Sequence, residues 1–220
     1  MKSQITAVSL AALIAISGQA LAGDERRFDL PDFDRIDLSS GVVLIADVGE
    51  AQSVLVKTDH GDFSDFKIEV DNGELNVTRK WNRLSWHQNK SDYKVLVTVP
   101  NLKGLEASSG SHAKVSNLDA ESFFIDLSSG AHASLEGNCD NCSLDLSSGA
   151  NLHAKNLECD AAEIDVSSGG FGELKVLSSV NADASSGGKV VVYGSPAIRS
   201  VDKSSGGRIK FVSAAQASRD

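Results

Sequence analysis

Ile125-Asp126-Leu127-Ser128-Ser129-Gly130-Ala131-His132-Ala133-Ser134-Leu135 is followed by Leu144-Asp145-Leu146-Ser147-Ser148-Gly149-Ala150-Asn151-Leu152-His153-Ala154, and then by Ile164-Asp165-Val166-Ser167-Ser168-Gly169. One phrase is being repeated: an apolar residue, an acid, an apolar residue, then Ser-Ser-Gly, then a second alternating stretch. Ser-Ser-Gly starts at Ser39, Ser108, Ser128, Ser147, Ser167, Ser185 and Ser204, and from Ser108 onward the starts are 20, 19, 20, 18 and 19 residues apart. A period this steady is a supersecondary unit repeated in space. A flexible Ser/Gly linker would carry no phased apolar pattern.

Aligned on the first Ser, the apolar positions three residues earlier are Ile125, Leu144, Ile164, Ala182 and Val201, and those one residue earlier include Leu127, Leu146, Val166 and Ala184. The residue between them is always acidic: Asp37, Glu106, Asp126, Asp145, Asp165, Asp183, Asp202. Such alternation predicts a half-buried strand with the acid facing water. Val115, Leu135, Ala154, Leu174, Val192 and Phe211 mark a second alternating strand seven residues after the first Ser. Each unit then holds two or three short strands bent at corners, with glycine supplying a corner conformation that a Cβ disfavours. No helical spacing is long enough for a crossover, so successive units pair in parallel as a β-helix. An antiparallel barrel would instead vary its hairpin turns.

Residues 23–107 are less regular and read as a strand-rich start of the solenoid, with 108–213 as the repeat solenoid and 214–220 as a flexible tail. Ile36–Leu38, Val42–Val48, Val54–Lys57, Lys67–Val70, Leu75–Arg79 and Tyr93–Val99 read as strands, and Asp71-Asn72-Gly73 as a hairpin turn. This segment is expected to cover an open end that would otherwise expose apolar side chains and strand edges. Lys2, the apolar run Ile5 to Ile16 and Ala20-Leu21-Ala22 read as a signal peptide over 1–22, cut before Gly23. The run is short for a membrane span and no later stretch is longer. A net charge of −9 argues against a nucleic-acid partner.

Four further stretches carry a resemblance: Phe33-Asp34-Arg35-Ile36, Val97-Thr98-Val99-Pro100-Asn101-Leu102, the glycine-ended repeats, and Val192-Tyr193-Gly194-Ser195-Pro196. On them the chain resembles the putative autotransporter adhesin head GIN domain family, a domain of unknown function, over nearly all its mature length. The resemblance implies a right-handed β-helix-like fold and a surface or envelope setting, which with the repeat gives an all-β, right-handed parallel β-helix of about 19-residue coils. It brings no catalytic residues with it.

Several constellations ask for a role. Asp126, Asp145, Asp165 and Asp183 should stack on one outer face, where like charges oppose each other. A weak divalent-cation site is one reading; hydrogen bonding at the corner, in the manner of an Asx turn, is the favoured one. No other cofactor is expected. Cys139 and Cys159 each lie eight residues before a triplet, so they should neighbour one another in adjacent coils, and a bridge between them that leaves Cys142 over is the favoured pairing, with Cys139 to Cys142, a Cys-x-x-Cys, as its rival. His112 and His132 share a phase and should stack in an outward ladder. Between Arg79 and Lys90 a basic stretch holds Trp81, Arg83, Trp86 and His87, side chains suited to sugar rings or anionic lipid headgroups, although a hairpin whose tryptophans fold back to cover the solenoid end is the favoured reading.

The sequence thus points to an exported cell-envelope binding or scaffold module, adhesin-like and non-catalytic. Its partners would be a surface glycan, lipid headgroups, an envelope protein or further copies of itself. A polysaccharide-active β-helix enzyme and a purely structural, oligomerising envelope protein are the alternatives.

Overall fold

The computed structural model describes residues 24–59, 63–80 and 92–213. The segments read as signal peptide, tryptophan loop and tail therefore lie outside the described residues, apart from Arg79 and Lys80 at the loop's edge. Within them the chain is all β and forms a parallel solenoid whose N-terminal part is mixed.

The solenoid's middle is made of four long strands: β9 (His112–Leu127), β10 (His132–Leu146), β11 (Asn151–Val166) and β12 (Phe171–Ala184). Each pairs in parallel with the next, and each fills a coil between consecutive Ser-Ser-Gly turns. The expectation of separate short strands needs refinement here. The backbone does bend, but hydrogen bonding runs through the bends, so each coil is one strand of 14 to 16 residues.

The bends show where the inward-outward alternation slips. Cys139 and Cys142 are both buried although three residues apart, with exposed Asp140 and Asn141 between them. A second slip follows Leu135, where Gly137 takes φ +136° and the register shifts, as it does at Asn117 (φ +57°) one coil earlier. The slip at Gly137 is a bulge, which bends a strand by leaving one residue unpaired, whereas at Asp140-Asn141 the register is kept and the neighbouring coils turn the corner together. A Cβ on Gly137 would lie 2.1 Å from the Leu118 carbonyl oxygen, so glycine is required at that bend.

At the triplets the second Ser and the Gly both take positive φ, for example +51° at Ser148 and +73° at Gly149. The residue after the Gly donates back to the first Ser carbonyl, as Ala150 N does to Ser147 O at 2.9 Å. This is the two-residue turn with both central positions left-handed, a turn type that normally selects Asn-Gly or Asp-Gly. Serine in its first position is a feature the sequence reading missed. The turns also stack: Gly130 N donates to Ser148 O, Gly149 N to Ser168 O and Gly169 N to Ser186 O. Each coil therefore steadies the strained turn of its neighbour.

Inside, the apolar columns form as expected. Ile36, Leu105, Ile125, Leu144 and Ile164 are successive register partners and are all buried. Burying a side chain of this size contributes about 1.5–3 kcal/mol, and every coil repeats that contribution several times.

At the N-terminal end the two paths of the sheet separate. On one side β3 (Val43–Val48) continues the solenoid and is followed outward by β7 (Tyr93–Val99), β4 (Ser53–Thr58) and β1 (Asp24–Phe28). On the other, β8 (Gly104–Ala107) and β2 (Arg35–Leu38) lead to β6 (Glu74–Arg79) and β5 (Phe66–Asp71). The outermost pairs β1–β4, β4–β7 and β5–β6 are antiparallel. The expected hairpin turn is present, with Asn72 and Gly73 both at positive φ. Phe28, Phe63, Phe66 and Tyr93 cluster beneath these strands, with Phe66 and Tyr93 ring centroids 4.7 Å apart. At the C-terminal end the coil splits into β13 (Lys189–Tyr193), β14 (Ile198–Lys203) and β15 (Arg208–Val212).

Candidate functional site

The acidic ladder is real as a geometric object. Asp37, Glu106, Asp126, Asp145, Asp165, Asp183 and Asp202 are consecutive register partners on one outward column. Burial and then the charges of Glu74 and Asp126 push the Asp37 carboxyl above its ordinary range. Burial, followed chiefly by Glu74 and Asp37, does the same to Glu106, and burial followed by Asp126 does so to Asp145. None of the aspartates from Asp126 to Asp202 receives a hydrogen bond from the described residues, so the expected corner-capping role is not what the column does. Nor do the described residues contain a group of three or more His, Cys, Asp or Glu side chains that could hold a metal ion. In-register carboxylates lie one coil apart, ~4.8 Å, and point the same way, so they do not converge on a point.

The cysteines are paired differently from the expectation. Cys139 and Cys159 are register partners, but the disulfide joins Cys142 to Cys159, with Cα atoms 6.0 Å apart, and Cys139 is the buried free thiol. The reason lies in the bend. Register partners on parallel strands have parallel Cα–Cβ bonds, which hold their Cβ atoms near the ~4.8 Å coil spacing, beyond the ~3.8 Å mean of a disulfide. Cys142 sits past the slip at Asp140-Asn141, so its side chain and that of Cys159 approach from different faces. Cys139 Sγ instead donates to the Asn141 carbonyl at 3.0 Å, and burial pushes its thiol pKa up, which disfavours the thiolate.

His112 and His132 do stack, with ring centroids 4.9 Å apart and planes 14° from parallel. The same outward face carries His153, paired with Glu173 at 2.9 Å, and Tyr193, whose hydroxyl donates to the other Glu173 oxygen at 3.2 Å. Trp81, Arg83, Trp86 and His87, the expected ligand-binding residues, lie outside the described residues.

The feature that the sequence reading did not find is a groove. It encloses about 790 Å³ and crosses six successive coils, from Lys103 to Ser200, beside the acidic column. Two outward columns line it. One runs Ser122, Asn141, Ala161, Ser179, Ile198; the other runs Phe124, Ser143, Glu163, Asn181, Ser200. The second column lies two residues before the acids on the same strands, so the carboxylate ladder forms one bank of the groove.

Phe124 is seated at its N-terminal end over Gly104, its register partner. A Cβ on Gly104 would lie 1.9 Å from the ring, so only glycine leaves the ring this place. Further along, Ser143, Glu163, Asn181 and Ser200 make no side-chain hydrogen bond to any described residue, whereas Asn141 donates to the Glu121 carbonyl at 3.3 Å. Both cations at the groove's end are engaged: Lys103 Nζ is 2.6 Å from Asp34 Oδ2, and Arg35 donates to the Asn72 carbonyl at 2.8 Å. The groove is thus an apolar strip with an aromatic at one end, unengaged polar groups at coil spacing along it, and negative charge on its bank. Its lining was invisible in the sequence because serines and asparagines in a repeat look like surface filler until register aligns them.

Comparison with known proteins bears on what such a surface belongs to. The family model described as "Putative auto-transporter adhesin, head GIN domain" matches residues 32–196. Comparison with curated protein sequences finds no match. Among solved structures, the chain is similar to a putative adhesin from Bacteroides fragilis, at 18% identity and a TM-score of 0.67, with 86% of this chain and 97% of that one covered. It is also similar to a putative adhesin from Parabacteroides merdae, at 13% identity and a TM-score of 0.52, covering 86% and 96% respectively. A putative adhesin from Parabacteroides distasonis gives 15% identity and a TM-score of 0.50, with 86% and 97% covered. At such identities these structures share the fold.

Proposed function

Because this chain belongs to the putative auto-transporter adhesin, head GIN domain family, we propose that it is an exported, non-catalytic binding module of the cell envelope that holds its ligand in the groove beside the acidic column. The observation that carries this reading is the run of unengaged polar side chains, one per coil, along a single groove with apolar surface and an aromatic ring. Side chains on paired strands are held in place by the sheet, so a ligand meets a surface already ordered for it. Export agrees with the signal-peptide reading of residues 1–22 and with a disulfide between Cys142 and Cys159, since such bonds persist in oxidising compartments. Whether it stays periplasmic or reaches the cell surface is read by fractionation.

The test uses the mature chain and a variant that fills the groove. Ala161 faces outward at the groove's centre, so Ala161→Trp blocks the strip without entering the core. Wild type should bind envelope preparations immobilised on a surface, and the variant should bind at least about tenfold less, equivalent to ~1.4 kcal/mol, with unchanged thermal stability. Equal binding by both would remove the groove from the account. The absence of catalysis is tested by incubating the mature chain with the same envelope glycans: new reducing ends or unsaturated products would make it an enzyme.

A further inference from the structure

The groove's chemistry restricts what it accepts, and we infer that its ligand is an extended, uncharged polysaccharide lying across the coils, parallel to the solenoid axis. This inference rests on the groove being the binding face. Three properties point to it.

The first is charge. Asp126, Asp145, Asp165, Asp183 and Asp202 bank the groove and Glu163 lies in it, while Lys103 and Arg35 at its end are engaged by Asp34 and the Asn72 carbonyl. A polyanion or a phosphate headgroup would lie beside a row of like charge, offset among the described lining residues only by Lys103 and Arg35 at one end, both already paired, which costs binding energy. Uncharged chains avoid that cost.

The second is the pairing of apolar surface with hydrogen-bonding groups. A pyranose ring presents C–H bonds on its faces and hydroxyls at its rim. Phe124 offers a ring for the face, and Ser143, Glu163, Asn181 and Ser200 offer a hydroxyl, a carboxylate, an amide and a hydroxyl for the rim. A carboxylate accepting from sugar hydroxyls makes a charge-assisted hydrogen bond, stronger than a neutral one.

The third is spacing. These groups, Phe124 to Ser200, recur once per coil, ~4.8 Å, over a length of roughly 19 Å, and that interval is close to the advance of one sugar in an extended polysaccharide. One coil therefore addresses one sugar, and affinity should grow as the oligosaccharide lengthens until it spans the groove.

Isothermal titration calorimetry on the mature chain tests this with two sets of probes. The neutral set is the hexasaccharides and trisaccharides of β-1,4-linked glucose, mannose, xylose and N-acetylglucosamine. The anionic set is polygalacturonate, alginate and anionic lipid vesicles. The expected result is binding of at least one neutral hexasaccharide, with its trisaccharide about tenfold weaker. Asn181→Ala should weaken the hexasaccharide about three- to tenfold, the loss of one or two hydrogen bonds, and Ala161→Trp should abolish its binding. Phe124→Ala should weaken it too. If that variant loses stability, the other two decide, since both positions lie on the outer face.

Binding of no neutral probe overturns the inference. Groove-dependent binding of an anionic probe also overturns it, while leaving the groove as the binding face. Neutral binding that ignores both Asn181→Ala and Ala161→Trp overturns the inference together with the reading it rests on.

Discussion

The two ends of the solenoid solve the same problem by different means. At the N-terminal end the parallel coils give way to antiparallel strands β1, β4, β5 and β6, which lie over the aromatic cluster of Phe28, Phe63, Phe66 and Tyr93. Polar contacts close it further: Arg26 lies 4.6 Å over Phe63, and Asp65 joins Arg79 and the Tyr93 hydroxyl. At the C-terminal end no such layer is found among the described residues. There the columns themselves change chemistry. Val180 is partnered by Arg199, and Ala184 by Lys203, so charges stand where the preceding coils have buried aliphatic groups. Arg199 lies 4.4 Å over the Phe211 ring and donates to the Pro196 carbonyl. Inward-pointing charge is a known way to keep a sheet edge from recruiting another chain. One end is closed by packing, the other by charge, and the stability of the molecule should be distributed accordingly.

The largest effect should come from the packed end. Phe66→Ala removes a buried ring from the aromatic cluster and should cost about 3–5 kcal/mol, whereas Arg199→Ala, which loses an exposed cation–π contact, should cost about 0.5–1 kcal/mol. Denaturant unfolding measures both, and similar losses at the two ends would break the contrast.

Next is the charged end. Lys203→Leu should leave thermal stability nearly unchanged but restore an apolar column at the edge where, among the described residues, Ile198 and Val201 are already exposed. Sedimentation over a concentration series should then show self-association, tighter by tenfold or more if ~1.5–3 kcal/mol of side-chain burial is recovered. A variant no more associated than wild type would mean the charges are not what protects this end.

A smaller difference should separate middle from end. Gly149 and Gly206 hold the same turn position at φ +73° and +83°, a Cβ meeting nothing within 4 Å at Gly149 and only the Gly187 nitrogen at 4.0 Å at Gly206, so backbone conformation is what opposes alanine. Gly149→Ala should cost about 1–2 kcal/mol. Gly206→Ala should cost less, because among the described residues no later turn stacks on this one. Equal costs would show that the stacked turns do not reinforce each other.

The smallest effect is electrostatic and belongs to the N-terminal end. The carboxyl pKa values of Asp37 and Glu106 are raised in the folded protein, so the folded state holds their protons more tightly than the unfolded chain does. Each group therefore penalises folding above its raised pKa, and the penalty disappears as pH falls to the ordinary carboxylate range. Asp37→Asn should be more stable than wild type at neutral pH by a few tenths of a kcal/mol. That advantage should vanish at acidic pH, read from melting temperatures of both proteins across the range. An advantage that grew on acidification would reverse the sign of the argument.

Much of this was legible in the sequence because a solenoid repeats its evidence. Ile125, Leu144 and Ile164 identify an interior column, and Asp126, Asp145 and Asp165 an exterior one, before any coordinate is seen. The N-terminal strands and the Asn72-Gly73 hairpin followed from alternation and turn chemistry. What stayed hidden depends on bends. The slip at Asp140-Asn141 decides that Cys142, not Cys139, meets Cys159, and counting residues back from a triplet cannot register a slip. Left-handed Ser148 was hidden because serine is unusual there, its place fixed by stacking of whole turns. The groove was hidden because it is a relation among coils: no residue in it is exceptional, and Phe124 becomes a platform only when Gly104 lies beneath it.

The claim on which the fold, the ladder and the groove all depend is that equivalent residues of successive coils lie directly over one another. Pyrene labels at cysteines replacing Asp126 and Asp145, in a Cys139→Ala background that keeps the Cys142–Cys159 bridge, read this directly. Those two positions lie one coil apart, ~4.8 Å, whereas Asp126 and Asp183 lie three coils apart, ~14 Å. Strong excimer emission from the 126/145 pair with little from the 126/183 pair is the predicted result, and excimer of equal strength from both, or from neither, would contradict it.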